Sequence, residues 1–154
     1  YGRGCCVVRE IGVMKHMFRR VAVGLLMGLC ATTAGAQGDP AQATVKRVIQ
    51  EQLSAFAQGD KTGAYSYAAP VIQQRFSNPD IFMQMVTSGY PALISPKIVD
   101  FKDYEIRGGR VEQDVMIIAS DGSAWMAHYS LQQMEDGLWR ISGCWLEKLP
   151  GGFV

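Results

Sequence analysis

Residues 123–149 read SAWMAHYSLQQMEDGLWRISGCWLEKL, and this stretch decides the fold. Two runs of alternating apolar and polar residues flank Met134-Glu135-Asp136-Gly137-Leu138. That segment fits a three-residue hairpin loop, a type I turn followed by glycine in the left-handed region. Met134 then faces Leu138, Leu131 faces Ile141, Tyr129 faces Gly143 and Ala127 faces Trp145. This is a coherent apolar face, as a half-buried strand pair requires. It makes Trp139, Ile141 and Trp145 core residues, with Gly143 leaving room for the Tyr129 ring. The opposite face pairs Gln132 with Arg140, Ser130 with Ser142 and His128 with Cys144. Two other registers stay open: a two-residue loop would set Tyr129 opposite Cys144, and a bulge at Gly143 would turn Cys144 inward.

Working outward, Gly108-Gly109 and Asp121-Gly122 punctuate the preceding residues in the same way. Four strands follow: Ile98–Ile106, Arg110–Ala119, Ser123–Met134 and Leu138–Leu149. The first half has a different period. Asp39-Pro40 is an N-cap followed by a first-turn proline. Val45, Val48, Ile49, Gln52/Leu53 and Phe56 then recur at helical spacing, and Gly59 stops the helix. Asp60 caps a second helix through Ala68, Pro70 starts a third turn, and Asn78-Pro79 starts a helix ended by Gly89. Helices followed by an antiparallel meander predict an α+β domain, with the helices covering one face of a curved four-stranded sheet.

The 154 residues are 48% apolar and 19% charged, which suits one globular domain with a real core. Residues 1–16 show neither period and read as a non-native upstream extension. Residues 17–36 read as a general-secretion signal peptide. Arg19-Arg20 precedes the uncharged run Val21–Ala31, and Ala34-Gly35-Ala36 supplies the small residues of a cleavage site. The apolar run is well short of the roughly 20 residues that a spanning helix needs, and Leu29 before Cys30 does not fit a lipobox. The expected mature domain is 37–154, periplasmic or secreted, with no membrane attachment after cleavage. Cleavage removes five of 15 basic and one of 14 acidic residues, leaving 10 and 13 and a net charge of −3. No basic stripe remains, so nucleic acid is not an expected partner. Cys144 and His128 become the sole residues of their kinds, too few to make a zinc or iron site. No phosphate-cradling glycine loop is present, and no cofactor is expected.

A resemblance rests on particular residues in both halves. These are the AFAQGD stretch at 55–60, Met85-Val86-x-x-Gly89-Tyr90, Trp139-Arg140-Ile141 and Gly143-Cys144. Over roughly 46–147 the chain resembles domain of unknown function family 4864, small secreted bacterial proteins. Gly59-Asp60 also resembles the first helix junction of the nuclear-transport-factor-2-like (cystatin-like) superfamily. That resemblance implies a cone, with a curved sheet wrapped against helices. Some members of the superfamily are isomerases, cyclases or dehydratases, and many only bind ligands or partners. The narrower resemblance implies no particular activity.

Three candidate sites follow. In the first register His128 and Cys144 are cross-strand neighbours, about 4.5–5.5 Å apart at Cβ. An imidazole there could activate the thiol as a nucleophile, though no third group is evident to orient it. The plainer account is a small buried hydrophobe, and an odd cysteine can also pair between chains. Second, Tyr65, Tyr90, Trp125, Tyr129, Trp139 and Trp145 could line a ligand pocket in the cone or simply fill a core. The expected ligand is small and apolar or carboxylate-bearing. An isomerase would need an acid–base group inside the cone, for which Asp100 is the nearest substitute. Third, Glu105 opposite Glu112 and Asp103 opposite Asp114 would gather carboxylates that splay into water or hold a cation, although no calcium loop of the usual spacing is present. The sheet's outer face, with Met116, Ile118, Met126 and Met134, is a candidate homodimer contact. Non-catalytic binding of a small ligand or protein partner is the leading expectation. An isomerase- or thiol-type enzyme is the alternative, and a structural dimer module is third.

Overall fold

A computed structural model of the chain describes residues 39–151. Residues 1–16 and the expected signal peptide at 17–36 lie outside the described residues. Helices α1 (Pro40–Gln58), α2 (Lys61–Ser66), α3 (Pro70–Arg75) and α4 (Pro79–Gly89) come first, followed by a 3-10 turn (Pro91–Leu93). Strands β1 (Ile98–Arg107), β2 (Arg110–Ile118), β3 (Ala124–Gln133) and β4 (Trp139–Lys148) form one antiparallel sheet in the order β1-β2-β3-β4. The domain is α+β, as expected.

The helix ends follow the residues that mark them. Asp39 accepts from the Ala41 amide at 2.9 Å, Asp60 from Gly63 at 2.9 Å and Asn78 from Ile81 at 2.9 Å. Each carboxylate or amide oxygen satisfies an N-terminal donor that the helix cannot. Gly59 stops α1 at φ 68°, the left-handed cap that glycine adopts without strain. The second helix ends at Ser66, not at the expected Ala68. Tyr67, Ala68 and Ala69 leave the helix to meet the sheet, and Pro70 disfavours a helical residue before it.

The meeting point is Ile141. Its amide donates to the Tyr67 carbonyl at 2.8 Å, and its carbonyl accepts from the Ala69 amide at 2.7 Å. Ala68 thus forms a short parallel bridge to β4, covering part of what would be an open sheet edge. On the inner face Val111, Val115, Ile117, Ala127, Tyr129, Leu131 and Ile141 pack against Val45, Ile49, Phe56, Phe82 and Val86 of the helices. Fully burying each of these valine, leucine, isoleucine and phenylalanine side chains stabilises the fold by roughly 1.5–3 kcal/mol.

The β3–β4 loop has the expected geometry: Met134 donates to Leu138 at 2.8 Å, and Gly137 sits at φ 80°. Beyond it the pairing starts as expected, with Gln132 opposite Arg140 and Leu131 opposite Ile141. It then shifts between Leu131 and Ser130. Ser130 faces Gly143, Tyr129 faces Cys144, His128 faces Trp145 and Ala127 faces Leu146. Ser142 is the extra residue, and its hydroxyl donates to the Ser130 carbonyl at 3.1 Å. The ungapped register therefore fails beyond Ile141, and the bulge alternative holds. One added residue moves every later side chain to the other face. Gly143 is also not needed to seat the Tyr129 ring, because a Cβ there would meet only Ser130, at 3.9 Å.

A second bulge interrupts β1. Glu105 faces Glu112 as expected, but the register shifts between Tyr104 and Phe101, so Asp103 does not pair with Asp114. The buried Gln113 fills this irregularity. Its Nε2 lies 3.3, 3.0 and 2.8 Å from the carbonyls of Lys102, Asp103 and Asp114. Gln113→Leu keeps the volume and removes the donor, leaving these carbonyls short of a partner. We expect a loss of about 1–3 kcal/mol in urea unfolding. A change under about 0.5 kcal/mol, the usual effect of a neutral surface substitution, would show that Gln113 does not support the bulge.

Candidate functional site

Between α1, α3, α4 and the inner face of β3–β4 lies a partly open cavity of about 380 Å³. The cavity is within the range of small-molecule sites, roughly 300–1,000 Å³. Its walls are apolar: Phe56, Ile72, Phe76, Phe82, Val86, Leu93 and Ile141. Phe82 is the hub, with ring centroids 6.1 Å from Phe56, 5.6 Å from Tyr65 and 6.2 Å from Phe76. Such tilted and edge-on pairs hold a wall in place without filling the space in front of it.

Tyr129 and Cys144 close the sheet side of the cavity. Tyr129 is 1% exposed, and its hydroxyl, shut off from water, has the Cys144 thiol as its polar neighbour. Burial holds its pKa well above the usual tyrosine value, and the adjoining Cys144 sulfur adds to the effect. Cys144 is half-buried as a whole residue, but its thiol points inward. Burial pushes the thiol up to about 12, against a smaller lowering by the Tyr129 hydroxyl. It is a protonated, weakly polar lining group and not an activated nucleophile.

His128 lies on the opposite face, so the expected Cys144–His128 neighbourhood is not formed. The bulge separates them. His128 Nδ1 sits 2.7 Å from Asp114 Oδ1, so the imidazole does have an orienting group, supplied by β2. Its ring stacks on Trp145, with centroids 3.8 Å apart and planes 16° apart. Glu147 stands 3.6 Å from Nε2, beyond hydrogen-bond distance, and Nε2 has no partner among the described residues.

Of the aromatics picked from the sequence, Tyr90 and Tyr129 line the cavity; Tyr65, Trp125, Trp139 and Trp145 do not. Tyr90 donates to the Cys144 carbonyl at 3.2 Å, tying the end of α4 to β4 just past the bulge. Tyr65 is a clip, donating to the Gln73 and Phe76 carbonyls at 3.1 and 2.6 Å. Trp125 donates to Ser123 at 2.8 Å and carries the Lys148 ammonium 5.7 Å from its ring centre. Trp139 is half-buried against the core, and Trp145 is 56% exposed on the outer face, not in the core. Asp100 pairs with Lys102 and occupies the register position opposite the outer-face Met116, outside the cavity. Of the residues considered for a dimer contact, Ile118 is 5% exposed and already buried within its own chain.

Sequence reading missed Gln52 and Arg75. Gln52 is buried in α1 and spends its Nε2 on the Ala64 carbonyl at 3.1 Å. A glutamine on the apolar stripe of α1 was the available signal. Arg75, in the last turn of α3, is the single charged residue lining the cavity. Nothing in its local sequence separates it from a solvated surface arginine. Among the described residues, no group of three or more His, Cys, Asp or Glu side chains is placed to hold a metal ion. No helix there is long and apolar enough to cross a membrane.

Helices on one face of a four-stranded antiparallel sheet, with a cavity against the last two strands, make up a fold of the nuclear-transport-factor-2-like kind. A crystal structure of an NTF-2-like protein of unknown function from Silicibacter pomeroyi DSS-3 shares the fold. It has a TM-score of 0.51 and 14% identity, over 71% of this chain and 96% of that one. The chain belongs to the family described as domain of unknown function DUF4864, whose model matches residues 38–152. No curated protein matches it.

The thiol yields a pH prediction. An acid with a higher pKa in the folded than in the unfolded chain stabilises the fold while it stays protonated. That contribution is complete below the ordinary thiol value near 9.0 and is lost as pH rises through about 12. Urea midpoints should therefore fall on going from about pH 8 to about pH 10, and fall less in Cys144→Ala, whatever the variant's starting stability. Equal slopes in the two proteins would place the thiol in water.

Proposed function

We propose that this is an exported domain whose role is to bind a small, mainly apolar ligand in the cone cavity, without catalysis. The observation that carries the reading is the partly open cavity of about 380 Å³ with its mainly apolar lining, a size and character that suit a small ligand. Catalysis of the isomerase type has little to work with among the described residues. Asp100 is outside the cavity, the thiol is protonated at neutral pH, and His128 is on the other face. Export is supported by Arg19-Arg20, the apolar run to Ala31 and Ala34-Gly35-Ala36.

A thermal-shift screen against a metabolite library tests the binding. A ligand at 100 times its Kd adds about 2.7 kcal/mol, a shift of several degrees for a domain of this size. Ile72→Trp, which fills the cavity from a half-buried wall position, should abolish the shift while the protein still unfolds cooperatively. A library without hits, or a shift that survives Ile72→Trp, contradicts the reading. Export predicts a secreted product whose mass begins at Gln37.

A further inference from the structure

The polar side chains that line the cavity narrow the class of ligand, because all but one of the enclosed groups are already spent. Resting on the cavity reading above, we infer that the ligand is an uncharged molecule with an apolar body and a hydrogen-bond donor, such as a hydroxyl, and that this donor bonds to Gln52 Oε1.

Gln52 is 3% exposed, and its amide is held one way round. Nε2 donates to the Ala64 carbonyl at 3.1 Å, which leaves Oε1 as the free end. Oε1 accepts no hydrogen bond among the described residues, yet it is not sealed in as Gln113 Oε1 and the Tyr129 hydroxyl are. Gln52 lines the cavity one helical turn before Phe56, on the same face of α1, so the surface that the oxygen keeps opens there. Buried polar atoms are normally paired, and this one lacks only a donor from outside the chain. The other polar side chains of the lining need no ligand. Tyr90 donates to the Cys144 carbonyl, and Ser142 to the Ser130 carbonyl. The Tyr129 hydroxyl and the Cys144 thiol adjoin each other. Arg75 is exposed, so water satisfies its guanidinium. Among the described residues of the lining there is no Asp or Glu, so a cationic head would sit without a counter-charge. A carboxylate has no proton to give Oε1. Phe56, Phe82, Val86 and Leu93 accept only an apolar body. A cavity of roughly 150 Å³ holds benzene, so about 380 Å³ accommodates up to about fifteen non-hydrogen atoms.

Calorimetric titration of the full chain with octan-1-ol and its isomer 1-methoxyheptane tests the assignment, since the two hold the same atoms and the alcohol alone has a donor. The alcohol should bind about five-fold more tightly, the usual net value of one hydrogen bond. Gln52→Met, similar in shape but without the amide, should remove that preference. It also takes the partner from the Ala64 carbonyl, so the unaltered protein supplies a second readout that does not depend on the variant folding. The magnetic resonance signal of the Gln52 side-chain carbonyl carbon should move downfield with the alcohol and by less with the ether. Equal or weaker binding of the alcohol, a preference that survives Gln52→Met, or a carbonyl signal that the two probes move alike overturns the assignment. The cavity reading still stands in that case if Ile72→Trp abolishes binding of the probes. Binding by neither probe also overturns the assignment. A hit of another class in the thermal-shift library then keeps the cavity reading, and a blank library removes both.

Discussion

The two backbone hydrogen bonds of Ile141 hold the two halves of this domain in one arrangement. Through them Tyr67–Ala69 becomes a short fifth neighbour of the sheet, at the point where β4 has just left its hairpin. The constraint acts in both directions. It ends α2 before Ala68, which directs Pro70 and α3 along the side of the cavity. It also fixes β4 at Ile141, so the irregularity that follows must be absorbed by Ser142 and Gly143. A bulge next to a fixed point re-aims whatever comes after it. What comes after it here is Cys144, turned into the cavity beside Tyr129, and Trp145, turned out onto His128.

The cavity exists because of this arrangement. The helices reach the sheet firmly at Ile141 and through the packing of Val45, Ile49 and Phe56 deeper in the core. Between those contacts α4 stands off from β4, and the Phe82 cluster keeps it there. Tyr90 adds a strut from the end of α4 to the Cys144 carbonyl. The result is a partly open hollow with mainly apolar walls and one charged side chain, Arg75, in its lining.

Local chemistry made most of the fold legible. Asp39-Pro40, Gly59-Asp60 and Asn78-Pro79 act through side chains and neighbours a few residues away, so sequence alone reveals them. The same holds for the turns at Gly108-Gly109 and Asp136-Gly137. The bulges were not legible, because a strand's sequence does not say how many of its residues oppose one partner. For Ser142 the deciding contact is Ile141 with Tyr67–Ala69, some seventy positions earlier in the chain. For Lys102–Asp103 it is the amide of Gln113. A slip of one residue then reversed the facing of Cys144 and Trp145 together and gave His128 a different neighbour. The candidate site was legible only in part for a related reason. Tyr129 stands in the paired region that the hairpin governs, whereas Arg75 acquires meaning only from the hollow that α3 borders.

The shift of register at Ser142–Gly143 sets the Cys144 thiol beside Tyr129 on the inner face and turns Trp145 onto His128. Nuclear Overhauser contacts in the folded protein report that arrangement directly. The account predicts contacts from the Cys144 β-protons to the Tyr129 ring, and from the Trp145 indole to the His128 imidazole. Contacts from the Cys144 β-protons to His128, with the Trp145 indole against Ala127, would restore the unbulged register and contradict it.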